Sequence, residues 1–125
     1  MDNAGTPDSV ERYFASMAAH DWVAFRDCLT DDFTRVGPYE DHVFNDPETY
    51  VDFLATTLPA LESQDVRITR VNRDGDTVHV EVTESVVLPG GTASTVRVSG
   101  TFELADDGRI RFVEVFVRRP RAEAS

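Results

Sequence analysis

Apolar residues recur three and four positions apart in the first third of the chain. Val10, Tyr13, Phe14, Met17 and Ala18 fall on one face of a helix, with Asp8 or Ser9 placed to cap it and Glu11 and Arg12 in its first turn. That helix ends near His20. Asp21 caps a second helix carrying Trp22, Phe25, Cys28 and Leu29. The acidic pair Asp31-Asp32 follows, and a strand over 33–36 runs into Gly37-Pro38. Residues 39–45 read as a loop. Asp46-Pro47-Glu48 then starts a third helix, with proline at the first helical position. It carries Tyr50, Val51, Phe53, Leu54 and Leu58, and Pro59 kinks or ends it.

From there the period changes to two. Val66, Ile68 and Val71 form a strand that stops at the turn cluster 72–76. Val78, Val80, Val82 and Val86 alternate with His79, Glu81, Thr83 and Ser85. Pro89-Gly90-Gly91 turns the chain. Val96, Val98, Gly100 and Phe102 then alternate with Arg97, Ser99, Thr101 and Glu103. A hairpin turn at 105–108 leads into a last strand over 109–118. Helices gathered before strands predict an α+β fold with an antiparallel sheet. The domain spans 8–118, between a frayed arm over 1–7 and a polar tail over 119–125.

Composition narrows the classes. A chain of 125 residues fits one domain, and its 41% hydrophobic content supplies a core without staples. There are 23 acidic and 12 basic residues, a net charge of -11, and every basic residue is arginine. Such a surface repels phosphate backbones and anionic bilayers, so neither nucleic acid nor membrane is an expected partner. The single cysteine, Cys28, cannot form an internal disulfide. Residues 1–7 lack the basic and apolar regions of a signal peptide, and no apolar run has the length of a membrane span, which makes the cytoplasm the default location. His20, His42 and His79 have no metal-ligand spacing and there is no Gly-rich phosphate loop. No metal and no cofactor are expected.

Three stretches resemble one family. Tyr13-Phe14-Ala15-Ser16-Met17-Ala18-Ala19-His20-Asp21-Trp22 resembles the first two helices of SnoaL-like proteins, a branch of the nuclear transport factor 2-like superfamily. Leu29-Thr30-Asp31-Asp32-Phe33-Thr34 resembles the acidic entry to their first strand, and Asp107-Gly108-Arg109-Ile110 the hairpin before their last. The resemblance covers about 9–117. It implies a curved, mostly antiparallel sheet wrapped around three helices as a cone-shaped α+β barrel with a central pocket, and a homodimer joined through the outer face of the sheet. Ile110, Phe112 and Phe116 on one face of the last strand and Val113, Val115 and Val117 on the other fit that expectation, because a strand apolar on both faces is usually buried on both.

The superfamily includes ketosteroid isomerases and limonene epoxide hydrolases, so function rests on the site. The resemblance places Tyr13 at the isomerases' oxyanion-binding tyrosine, eight residues before Asp21. Their basic aspartate falls at Gly37, before Pro38, and their protonated aspartate at Gly100, so steroid isomerisation lacks its proton acceptor. The hydrolases' arginine and first aspartate fall at Glu81 and Thr83, their last-strand aspartate at Val115, and their water-holding tyrosine and asparagine at Arg35 and Gly37. That mechanism is not carried over either.

The pocket face implied by the resemblance carries Tyr13, Arg35, His79, Glu81, Thr83 and Ser85, completed by Val96, Val98, Val113, Val115 and Val117. His79, Glu81 and Tyr13 are the candidate catalytic residues, with Arg35 and Glu81 expected to pair. Arg35, Thr83, Val96, Val98, Val113 and Val115 are the candidate binding residues. The strand alternation alone says otherwise for 78–83: it turns Val78, Val80 and Val82 inward and leaves His79 and Glu81 in water. The expected ligand is a small hydrophobic molecule. The expected role is a cofactor-free isomerase, cyclase or hydrolase working by acid-base chemistry. A non-catalytic ligand-binding or dimerisation module and a protein-interaction domain are the alternatives.

Overall fold

The computed structural model of the chain describes residues 6–118. The expected tail over 119–125 and most of the arm over 1–7 lie outside them.

Two helices come first, α1 (Asp8–Ala19) and α2 (Trp22–Asp27), joined at His20, whose φ of 55° and ψ of 34° end α1 in the left-handed region. Pro7 occupies the N-cap of α1, with no side-chain cap. The Asp21 side chain caps α2 by accepting from the Ala24 N–H. Leu29, expected in the second helix, opens β1 (Leu29–Val36), which takes in the acidic pair. The stretch expected as a loop over 39–45 contains the short strand β2 (Val43–Phe44). Asp46 caps α3 (Pro47–Thr57) through the Thr49 N–H, and Pro59 sits in a turn of 3-10 helix, Leu58–Ala60, that closes it.

The rest is a meander of four long strands: β3 (Ser63–Asp74), β4 (Thr77–Val87), β5 (Ala93–Leu104) and β6 (Ile110–Arg118). The six strands form one curved sheet in the order β2-β1-β6-β5-β4-β3. All neighbours are antiparallel except β1 and β6, which run parallel. The sheet is α+β in character and mostly antiparallel, as expected, but it does not close into a barrel, since β2 and β3 remain edges. No helix among the described residues is long and apolar enough to cross a membrane.

The facing of β4 follows the simple alternation rule, not the resemblance. Val78, Val80 and Val82 are buried at 0%, 1% and 7% exposure, and they pack with Val10, Tyr13, Phe25, Phe33, Tyr50 and Phe102 in one core. β4 pairs with β5 in unbroken register from Thr77 to Val87, so nothing reverses the alternation along it. The hydrophobic contribution of three buried valines, at about 1.5 kcal/mol or more each, outweighs anything gained by turning a histidine and a glutamate inward. His79, Glu81, Thr83 and Ser85 therefore lie on the outer face. That face is polar rather than valine-covered. On β6, Val113 and Val115 join the inner side, Phe112 and Phe116 face out, and Ile110 is fully buried next to a register shift on β5.

Candidate functional site

A cavity of about 280 Å3 lies between the inner face of the sheet and the helices. α1 supplies Tyr13, Phe14 and Met17, and α3 supplies Tyr50, Phe53 and Leu54. The inner face of the sheet contributes Arg35, Val80, Val82, Glu84, Val98, Gly100, Phe102 and Val115. Pro38 and His42 line it from the segment between β1 and β2. Its volume is near the lower end for ligand pockets, and its walls are predominantly apolar, which suits a small organic molecule.

Polar groups cluster at one place in this apolar shell. Arg35 donates from Nη1 to the Tyr50 hydroxyl at 2.8 Å, and its guanidinium stands 5.0 Å from the centre of the Tyr50 ring. Tyr50 and Tyr13 share a hydrogen bond of 2.6 Å between their hydroxyls. Both tyrosines are buried, at 0% and 3% exposure. Phe33 stacks on Tyr50, and Phe25 and Phe102 pack against Tyr13 at 4.9 Å and 5.2 Å between ring centres. Burial in this aromatic cage, helped by the neighbouring Tyr50, holds the Tyr13 hydroxyl protonated well above its ordinary range. Arg35 stays firmly cationic. Burial opposes its charge, while the hydrogen bond to the Tyr50 hydroxyl and the Glu84 carboxylate favour it.

The cluster has more donor hydrogens than acceptors. An arginine side chain only donates, so Tyr50 oxygen accepts from Arg35. The two tyrosines own two hydroxyl hydrogens, and one lies between them. The other has no acceptor among the described residues. Arg35 Nε is also buried without a partner. The cluster thus presents at least two unfilled donors and no competing acceptor beyond those already used.

A second polar group stands three strands away in sheet order. Glu84, half-buried on β4, accepts a hydrogen bond of 2.8 Å from Gln64 Nε2 on β3. No carboxylate among the described residues reaches ion-pair distance of Arg35.

Of the residues expected from the sequence, Tyr13, Arg35, Val98 and Val115 line the cavity. Val113 does not; it is fully buried in the core, opposite Arg35 in the β1–β6 register. Val96 shares the facing of Val98 but lies beyond the lining. His79, Glu81 and Thr83 are corrections. They lie on the far side of the sheet, where His79 Nδ1 sits 3.2 Å from the Thr101 hydroxyl and Glu81 is in register with Arg70 and Ser99. The expected Arg35–Glu81 pair does not form, because the sheet separates the two side chains. Tyr50, Glu84, Gln64 and His42 were missed. Glu84 was open to discovery, because extending the inward set Val78, Val80, Val82 by one more step reaches it. Tyr50 was not, since its partners are 15 and 37 residues away. No group of three His, Cys, Asp or Glu side chains gathers as a metal site among the described residues.

Curated proteins give no sequence match. A ketosteroid isomerase-like protein from Catenulispora acidiphila DSM 44928, solved with trimethylamine, superposes with a TM-score of 0.77 at 22% identity, covering 89% of this chain and 85% of its own. An LEH-like epoxide hydrolase of M. tuberculosis gives 0.74 at 23% identity, covering 88% and 80%. A putative SnoaL-like polyketide cyclase from Jannaschia sp. CCS1 gives 0.76 at 22% identity, covering 88% and 83%. At these identities the likeness establishes the fold alone. The model of the SnoaL-like domain matches residues 10–113, which is most of the chain, and the chain therefore belongs to the SnoaL-like domain family.

Proposed function

We propose that this chain is a small-molecule pocket protein acting without a cofactor, and that it holds an oxygen-bearing, otherwise apolar molecule with the oxygen at the Arg35–Tyr50–Tyr13 cluster. The observation that carries this reading is the cluster's surplus of donors inside an apolar cavity. An unsatisfied buried donor costs about 1–3 kcal/mol, and a ligand oxygen recovers that cost on binding. Donors aimed at one oxygen also stabilise negative charge that develops there. Glu84 is the carboxylate of the cavity and the group suited to take or return a proton, which gives the reading its acid-base form. The structural neighbours are named as epoxide hydrolase-like and cyclase-like proteins, and one was solved with a small amine, which supports small-molecule use of the fold.

Thermal unfolding against a panel of aromatic and alicyclic carbonyl compounds tests the pocket. Val98→Phe adds bulk to the lining from a half-buried position. Panel members that raise the wild-type Tm should leave the Tm of Val98→Phe unchanged. Equal stabilisation of both proteins would place binding elsewhere and refute the reading.

The same proposal includes a homodimer joined through the outer sheet face, resting on Phe116, 49% exposed, and on Phe112 on the same side of β6. Sedimentation equilibrium of wild type and Phe116→Asp checks it. A monomer mass for wild type at micromolar concentration removes the dimer from the reading.

A further inference from the structure

We infer that the ligand is a monoanion whose charged oxygen group binds Arg35, with an apolar body lying along Val80, Val82, Val98 and Phe102. The inference rests on the cavity being the ligand site and adds the charge of the ligand and its orientation.

The first ground is that Arg35 has no counter-ion at contact distance among the described residues. Arg35 is a cation set among aromatic rings, and the groups that touch it are phenol hydroxyl and ring. Tyr13 cannot serve as the counter-ion, because its burial keeps it neutral. Glu84 shares the cavity and favours the Arg35 charge from a distance, but its carboxylate accepts from the Gln64 amide and makes no ion pair with Arg35. A half-buried guanidinium with no carboxylate at ion-pair distance is costly, and a bound anion offsets part of that cost.

The second ground is geometry. Nη1 is committed to Tyr50, while Nε is buried and unpartnered, and Nη2 has no acceptor among the described residues. Nη2 is open to a ligand oxygen, and Nε, now closed off, completes with it the edge that a carboxylate grips in two parallel hydrogen bonds once the side chain turns to uncover it. The spare tyrosine hydroxyl hydrogen beside it adds a third donor. A neutral carbonyl has one oxygen to offer. A carboxylate has two and carries the missing charge.

The third ground fixes direction and number. Glu84 faces the same cavity and repels a second negative group, so the ligand carries its charge at the Arg35 end alone. Long-range attraction does not help an anion reach this site, since the chain carries -11 overall. Any preference for the anion is therefore local.

Calorimetric titration with 2-naphthoate, 2-naphthamide and 2,6-naphthalenedicarboxylate, at pH 7 and 0.15 M salt, tests this. Naphthoate should bind at least about tenfold more tightly than the isosteric amide, as expected for a charge-assisted bidentate contact. Arg35→Gln should abolish that preference while retaining amide binding. The dicarboxylate should bind more weakly than naphthoate to wild type, and Glu84→Gln should recover it. Wild type alone decides the main point if Arg35→Gln fails to fold. An amide bound as tightly as the acid overturns the inference and leaves the pocket reading standing. A dicarboxylate bound as tightly as naphthoate overturns the single-charge orientation. Naphthoate bound equally by wild type, Val98→Phe and Arg35→Gln is held by surface arginines and also overturns it. Binding of no probe at millimolar concentration refutes the inference and the pocket reading together.

Discussion

Tyr50→Phe removes one oxygen from the centre of the site, and its cost can be worked from the hydrogen bonds. Tyr50 is fully buried, and its hydroxyl joins Arg35 to Tyr13. The Arg35 bond is charge-assisted and contributes about 1.5–3 kcal/mol, and the Tyr13 bond about 1 kcal/mol. Their sum is about 2.5–4 kcal/mol, and the lower end applies if Arg35 Nη1 turns toward cavity water. Two other phenylalanine variants calibrate the effect. Tyr13→Phe loses the shared bond but leaves Arg35 on Tyr50, for about 1 kcal/mol. Tyr39→Phe changes an exposed ring that lies outside the network, so its cost is within about 0.5 kcal/mol of zero. Urea unfolding followed by far-UV circular dichroism measures all three, provided the slopes agree. The reasoning fails if Tyr50→Phe costs no more than Tyr39→Phe, or if Tyr13→Phe costs more than Tyr50→Phe.

Alkaline pH probes the same cage. Burial raises both Tyr13 and Cys28 in the folded state, so each supplies stability that is full below its unfolded pKa and is lost as pH rises through the folded one. The chain has no lysine, so the urea midpoint should fall between about pH 9 and 11 for these groups, and Tyr13→Phe should flatten the upper part of that fall. An unchanged pH profile in that variant would contradict the buried-phenol assignment. Gly37 has φ +89°, and a Cβ there would collide with the Val115 carbonyl oxygen, whereas Gly108, at φ +90°, has open space around it. Gly37→Ala should therefore lower the Tm far more than Gly108→Ala, whose cost is only the backbone strain of about 1 kcal/mol. The Asp46 carboxylate, held below its usual range by the Thr49 N–H and hydroxyl, caps α3. Asp46→Ala should lower the Tm at neutral pH, and the gap from wild type should close as acid protonates Asp46, because a depressed carboxylate loses its contribution as pH falls through its folded pKa.

Much of the fold was legible in the residues because its signals are local. Apolar spacing of three and four marks α1 and α3, and Asp46-Pro47 fixes the start of α3 to the residue. The valine alternation marks β4, and the glycine and aspartate turns separate the last four strands. The local rule also settled which face of β4 is inside, and the family resemblance pointed the other way. That resemblance fixes the order of strands but not the parity of side chains, and a one-residue difference in alignment exchanges the faces.

What needed tertiary structure is everything that depends on distant partners. The parallel contact of β1 with β6 joins chain segments about 80 residues apart and puts Arg35 opposite Val113. No periodicity within either strand specifies that pairing. Tyr50 reads as one more aromatic on an amphipathic helix until the packing of α3 brings its hydroxyl to Tyr13 of α1 and Arg35 of β1. The alternation of β4 turns Glu84 inward, but only the folded sheet brings it into one cavity with Arg35 and the tyrosines. Sequence periodicity is set by the burial of single elements, and it determined the three helices, the four long strands of the meander and the inner face of β4. Charge pairing and hydrogen-bond satisfaction belong to elements meeting in space, so only the folded chain decided which polar groups share the cavity and which are left without partners.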